Sequence, residues 1–385
     1  MNTYAEPYRP ADARAANWVA RQLHRVHIDP MLLSLLICLT GLGLLVLYSA
    51  GDQNSDLLWR QAARLGVSAV GMLILAQFPV SIWRRFAPLI FLFGLGLLVA
   101  VIFFGDTGGG AKRWLDLKVV RFQPSEIMKL ALPIAMAAYL HNQRVPPSPL
   151  TLIVALGLLA APVALIVQQP DLGTSILIAS SGVFVLFLAG VRWRYILGAL
   201  VTIAALAPVL WANMRDYQRQ RVLTFMNPES DPLGSGYHII QSKIAIGSGG
   251  LFGKGWMNGT QSQLDFLPER STDFIFSVAA EEFGLLGLLP LLGLYLAIAL
   301  RGLYIGAMAR DRFSRLLAGG LSLTFFVYVI VNTGMVSGLL PVVGVPLPLI
   351  SYGGSSMITL FAAFGILMSI HTHKRPVSDH VPPPR

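Results

Sequence analysis

Residues 32–49 read LLSLLICLTGLGLLVLYS, without one charged side chain. A helix of that length nearly covers the ~30 Å hydrocarbon core of a bilayer. The first thirty residues are mixed in charge and too long for an ordinary signal-peptide n-region. The run therefore reads as a membrane span that stays in place.

The same texture recurs along the chain. Apolar segments of spanning length fall at roughly 31–50, 62–80, 86–104, 124–141, 150–169, 172–190, 194–214, 273–300, 314–336 and 352–371. Lipid offers a backbone no hydrogen-bond partners, so all are expected to be helices. The fold expected is an all-α polytopic membrane protein of about ten transmembrane helices. Composition agrees: 55% of the 385 residues are hydrophobic, 12% are charged and mean hydropathy is +0.64. Lipid must act as solvent for part of so apolar a chain. The single cysteine, Cys38, lies in an apolar run and forms no intrachain disulfide. No period of 20 to 50 residues repeats visibly.

The net charge of +10 could suggest nucleic acid, but the basic residues sit in short clusters between apolar runs. That is the signature of membrane topology. With the N-terminus in the cytoplasm, the inner side collects Arg9, Arg14, Arg21, Arg25, Arg84, Arg85, Arg144, Arg192 and Arg194. It also collects Arg301, Arg310, Arg312, Arg315, Lys374, Arg375 and Arg385, whereas the short outer loops hold only Arg60 and Arg64. Both termini are expected inside. The organisation expected is a cytoplasmic segment 1–30, a membrane domain 31–371 and a disordered Pro-rich cytoplasmic tail 372–385. Two charged segments, 105–123 and 215–272, lie outside. The second is the large loop between the seventh and eighth spans, too long to be mere connection.

Acids gather at that outer side, most densely in DFLPERSTDFIF, residues 265–276. Asp273 opens the eighth span and has two readings. It caps the helix, or it is a carboxylate at the membrane boundary, made a better base by desolvation and by Glu269 and Asp265 nearby. Glu281 and Glu282 lie deeper in the same segment. A charge at mid-bilayer costs roughly 2.5–3.5 kcal/mol, so they must face the bundle, pair or stay protonated. At ~100° per residue from Asp273, only Glu281 is expected to share its cavity.

In QPSEIMK, 123–129, Pro124 suits a first helical position, and Glu126 and Lys129 are spaced to pair on one face. In QQPDLGT, 168–174, Asp171 can cap the sixth span or point into the outer cavity. GLLPVVGVPLPLISYGGSS, 338–356, is too rich in proline and glycine for continuous helix. Its SYGGSS end precedes a helix and offers free N–H groups to an anion or a lipid headgroup. The seven scattered histidines make no zinc site, and phosphate-binding loop, dinucleotide, Gly-x-Ser-x-Gly and nucleic-acid motifs are absent.

Four stretches together resemble the SEDS family (shape, elongation, division and sporulation). They are KRWLDLKVVRFQPSEIMKL (112–130), QQPDLGTS (168–175), the block from NPES at 227 to DFIF at 276, and GLLPVVGVPLPLISYGGSS (338–356). The resemblance spans about 31–371 and sits nearer the rod-shape branch than the division branch, because of the 227–263 block. It implies a peptidoglycan glycosyltransferase that polymerises lipid II on the outer face of the cytoplasmic membrane. The implied catalytic acid is Asp273. Arg113, Glu126, Lys129, Asp171 and Arg221 carry over as substrate-binding residues, and Glu269, Ser351, Gly353 and Gly354 complete the expected set. Ser271 stands where the family pattern has His, and Asp265 where Glu is usual.

The implied chemistry is a single inverting displacement that makes a β-1,4 link from a polyprenyl-pyrophosphate-linked glycan donor. Asp273 removes the acceptor's 4-hydroxyl proton, and Arg113, Lys129 or Arg221 stabilises the departing pyrophosphate. No cofactor or metal is implied, although help from a divalent cation stays open. The expected partner is a class B penicillin-binding protein within the elongation machinery. Two alternatives remain: a lipid II flippase, which shares the many spans and the broken segment, and a membrane scaffold for that partner.

Overall fold

The computed structural model describes residues 26–373 except 109–110, 117–120, 215, 232–233, 265 and 268. Most of the expected terminal segments, 1–30 and 372–385, therefore lies outside the described residues, as does Asp265.

Every one of the ten apolar segments is a helix: α1 Pro30–Ala50, α2 Ser55–Gln77, α3 Val80–Phe104, α4 Pro124–Leu140, α5 Pro149–Gln168, α6 Leu172–Leu188, α7 Trp193–Asn213, then α11 Ile275–Ala307, α12 Arg312–Val336 and α13 Ser355–Thr372. Local chemistry sets the starts. Asp29, Asn54, Ser148, Asp171 and Asp311 each accept a backbone N–H of the helix they precede, which satisfies donors that a helix start leaves orphaned. The Asn54 cap explains why α2 begins well ahead of the expected residue 62. Six of these helices (α1, α3, α5, α11, α12 and α13) are long and apolar enough to cross a membrane, and α6 and α7 hold shorter apolar stretches. The chain is a multi-pass membrane protein.

Two segments expected only as loops have structure of their own. Between α3 and α4 the chain forms an antiparallel meander, β1 Asp106–Gly108, β2 Ala111–Asp116 and β3 Arg121–Phe122. Between α7 and α11 lie α8 Asp216–Met226, α9 Ser235–Gly249 and the short α10 Thr260–Gln263.

α9 packs along the first turns of α11, with the Ser242 and Ser277 hydroxyls 2.7 Å apart and both buried. The connection after α9 then enters α11 itself. At Gly284 (φ 62°, ψ −169°) α11 breaks. Lys254 N and Gly255 N donate to the carbonyls of Glu281 and Glu282, each at 3.0 Å, while Leu285 N and Leu286 N donate to the carbonyls of Gly250 and Leu251, also at 3.0 Å. The loop thus supplies the hydrogen bonds that the broken helix has lost, which lipid could not do. A side chain on Gly253 would collide with the Glu282 carbonyl.

The two acids at the break tie it to the loop and to α1. Glu281 is fully buried, and its Oε1 accepts from Lys254 Nζ at 2.6 Å and Gln261 N at 3.0 Å. Glu282 accepts from the Ser49 hydroxyl of α1. Neither needs a share of Asp273's cavity. The angular estimate that linked them to Asp273 fails because α11 begins at Ile275, leaving Asp273 off its wheel.

The core centres on α4. Thirteen of its seventeen residues are buried, against α3, α5, α6, α12 and α13. No described residue of α7 is buried.

Candidate active site

The stretch before α11 is fastened by its backbone. Three successive carbonyls each receive a donor from elsewhere in the chain: Ser271 O from Tyr352 N at 2.8 Å, Thr272 O from the Ser351 hydroxyl at 2.6 Å, and Asp273 O from Asn332 Nδ2 at 2.8 Å. Asn332 is fully buried, and its Nδ2 also donates to Val345 O at 2.7 Å. Asp273 is therefore held between α12 and the 338–350 segment while its side chain stays uncommitted to the helix. The cap position of α11 belongs to Phe274, which makes no side-chain capping bond. The capping reading of Asp273 does not hold.

The carboxylate lies beside Gly344. A Cβ placed on Gly344 would lie 3.4 Å from Asp273 Oδ2, and Gly344 has φ 71°, a conformation that favours glycine. Burial first, and the Glu269 carboxylate second, push the Asp273 pKa from 3.8 up to about 6, against the opposing pull of Arg221 from α8. Glu269 is held close by its own turn, where its Oε2 accepts from the Thr272 hydroxyl at 2.7 Å. His238 of α9 stacks on Phe274 with ring centroids 5.7 Å apart, and burial lowers its pKa.

A second group lies at the start of α6. Asp171 caps the helix, one of its two readings: Oδ1 accepts from Thr174 N at 3.1 Å, while Oδ2 accepts from Gln123 Nε2 at 3.2 Å and pairs with Arg113 Nη1 at 3.8 Å. Arg113, on β2, also donates to Pro170 O at 2.7 Å. Val343 joins this group to the first, since its carbonyl would lie 2.6 Å from a Cβ on Gly173. Residues 343–345 thus run between Asp171 and Asp273.

Glu126 and Lys129 form the expected pair, 2.6 Å apart and both buried. The Lys129 ammonium also sits 5.1 Å from the centre of the Tyr328 ring, and Tyr328 packs with Leu177 and Val345 beneath the same segment. So engaged, Lys129 is a poor ligand for a departing pyrophosphate. Ser351 is likewise committed, because its oxygen also accepts from Leu347 N at 2.7 Å. It is a fastener of the 347–352 turn.

Gly353 and Gly354 lead into α13, whose start has no side-chain cap. Beside them stands Arg64 of α2, over the Tyr352 ring at 4.5 Å. Below Arg64 and Gly354 opens a largely apolar groove of about 520 Å³, walled by Trp83, Ile127, Leu130 and Ile358. A cation, an uncapped helix start and an apolar trough suit a ligand with an anionic head and a lipid tail. No group of three metal-binding side chains occurs among the described residues.

Asn332, Gly344 and His238 carry no signal of their own in the sequence. Arg64 alone had a clue, as a charge within a helix that must face lipid or protein.

Residues 29–376 match the profile of a family described as cell cycle protein, which takes in FtsW, RodA and SpoVE. The chain is 55% identical over 358 residues to peptidoglycan glycosyltransferase MrdB of Escherichia coli strain K12, covering 93% of this chain and 97% of that one. Its structure is similar to one solved for a peptidoglycan synthase complex that coordinates polymerization and crosslinking (TM-score 0.79, 34% identity, 89% of this chain and 97% of that one). It is also similar to the crystal structure of rod shape determining protein RodA of Thermus thermophilus (TM-score 0.68, 29% identity, 89% and 96%).

Proposed function

Because the chain belongs to the FtsW/RodA/SpoVE family of cell cycle proteins and is a peptidoglycan glycosyltransferase, we propose that it polymerises lipid II with Asp273 as general base. The reaction takes place at the outer face of the cytoplasmic membrane during cell elongation, with both termini inside. The acceptor's 4-hydroxyl gives its proton to Asp273 as its oxygen attacks C1 of the donor sugar. The bond from C1 to the lipid pyrophosphate breaks on the opposite face. The α-linked donor so becomes a β-1,4-linked product.

One observation carries this reading. Asp273 is clamped by its backbone while its carboxylate stays outside any cap, with a pKa raised to about 6. Such a group is ionised at neutral pH yet more basic than an ordinary carboxylate, which suits proton removal. The pyrophosphate needs charge rather than a proton. Arg221 and Arg64 provide it, with the start of α13, and the groove below Arg64 takes the polyprenyl tail. Lys129 and Glu126 act lower down, supporting Tyr328 and the 343–345 segment. A class B penicillin-binding protein supplies crosslinking, as the resemblance to a polymerizing and crosslinking complex supports.

The test is lipid II polymerisation by the detergent-purified chain with that partner, wild type against Asp273→Asn. The variant is expected to lose about 10²–10⁴-fold in rate while folding and partner binding are kept. Full polymer from a folded variant would remove Asp273 from the chemistry.

A further inference from the structure

The end of the bundle opposite Asp273 holds a cavity of about 460 Å³. α11 runs from Ile275, beside the active site, to Ile305 at this cavity, roughly 45 Å at 1.5 Å per residue. The walls come from the starts of α3 and α12 and the ends of α11 and α13, and they include Arg84, Arg310, Asp311, His27, His371 and His373. A volume of this size is in the usual range for a small ligand or a headgroup.

The two carboxylates beside it are both engaged. Asp311 is turned onto its own helix, accepting from Ser314 N at 3.0 Å and the Ser314 hydroxyl at 2.7 Å. Asp29, fully buried behind His371, accepts from Arg301 Nε at 3.1 Å and Nη2 at 2.7 Å. Arg84 and Arg310 are exposed at the mouth. The first turn of α3 also faces the cavity at Val80 and Ser81, and Pro79 before it makes no side-chain cap bond. His373 Nδ1 lies 3.2 Å from the Ser369 carbonyl. The His27 ring stacks flat on His373, centroids 3.7 Å apart.

A bias of Arg toward the inner side of a membrane protein accounts for cations in this region. It does not require that they wall a cavity together with imidazoles and an uncapped helix start. We propose that this cavity binds a phosphate group, as the diester of an inner-leaflet phospholipid or as free phosphate. Two guanidinium groups against one carboxylate leave a net positive charge suited to a monoanionic diester. Forked donors and helix N–H groups match phosphate oxygens. Basic pockets between helices at this face are where lipid headgroups are met.

The experiment uses the full chain in detergent, wild type and the double variant Arg84→Gln/Arg310→Gln. Both positions are exposed, so folding is expected to survive, and melting without additive checks it. Native mass spectrometry reads the retention of added phosphatidylglycerol, and melting with and without inorganic phosphate reads the free anion. A lipid site predicts one phosphatidylglycerol retained by wild type and about tenfold less by the variant. A free-phosphate site predicts no retained lipid, but a melting shift with phosphate in wild type only. Equal lipid retention and equal phosphate response in the two proteins would overturn the proposal.

Discussion

α4 and α7 have much the same apolar texture and opposite surroundings. α4 is buried on nearly every side, including Glu126 and Lys129, whereas α7 turns Leu197, Leu200, Val201 and Ile203 outward, each more than half exposed. In water such a difference would follow from hydrophobicity. In lipid it does not, because the surrounding tails are as apolar as leucine. What marks α4 as interior is its polar residues, since a charge pair is tolerated only against protein or a polar cavity. α4 supports Tyr328, and through it the 343–345 segment, for the same reason that it is central.

The strongest attempt to break that contrast is Lys129→Met. It leaves Glu126 buried without its counter-ion and is expected to cost about 3–5 kcal/mol, read as a large drop in melting temperature in detergent. Pairing it with Glu126→Gln should restore much of the loss. A single variant that melts like wild type would show that α4 is less closed than its packing suggests. Next comes packing without charge. Leu132→Ala, at a fully buried α4 position, is expected to cost about 2 kcal/mol or more.

A finer test asks whether the exposed side of the molecule reaches the site at all. α8 follows α7, and its Arg221 pulls the Asp273 pKa down. In wild type the polymerisation rate should rise with pH through about 6, as Asp273 loses its proton. Arg221→Gln should move that rise to higher pH and Glu269→Gln to lower pH, because Glu269 pushes the other way. If neither variant moves the profile, the α8 side is electrically separate from the site. Stability has the opposite sign. Asp273 is more easily protonated folded than unfolded, so its ionisation disfavours the fold as pH rises from about 3.8 to about 6. Asp273→Asn should therefore melt higher than wild type above that window and show no gain below it. The smallest effect is expected from Leu200→Ala on α7, within about 0.5 kcal/mol. A loss equal to that of Leu132→Ala would end the contrast.

The helices were legible because lipid allows little else. A charge-free run of spanning length has one solution, and a cap residue such as Asp171 marks where it starts. The Glu126–Lys129 pair was legible because both partners lie on one helix. The rest depends on contacts between distant segments. The break at Gly284 has meaning only once residues 250–255 are seen to fill it, and the clamp on Asp273 needs Asn332, Ser351 and Tyr352 from two other parts of the chain. Read as the first residue of a helix, Asp273 gave a false angle to Glu281. Ser351 looked like an anion seat because its neighbours are glycines, yet its hydroxyl is committed to two backbone groups. Lys129 looked available because a sequence does not show how completely α4 is enclosed.

The stitched break in α11 also bears on how the chain is made. A ribosome releases residues 249–255 before 275–307. When α11 enters the bilayer, the peptide groups that complete its broken turn have already been synthesised. With the order reversed, the half-helix ends would meet hydrocarbon with unsatisfied groups, each costing several kcal/mol. Circular permutants that move 249–255 behind α11 should therefore insert poorly even though every contact in the finished protein is retained. The succession of segments along the chain is, on this view, a set of instructions for the translocon as well as for the fold.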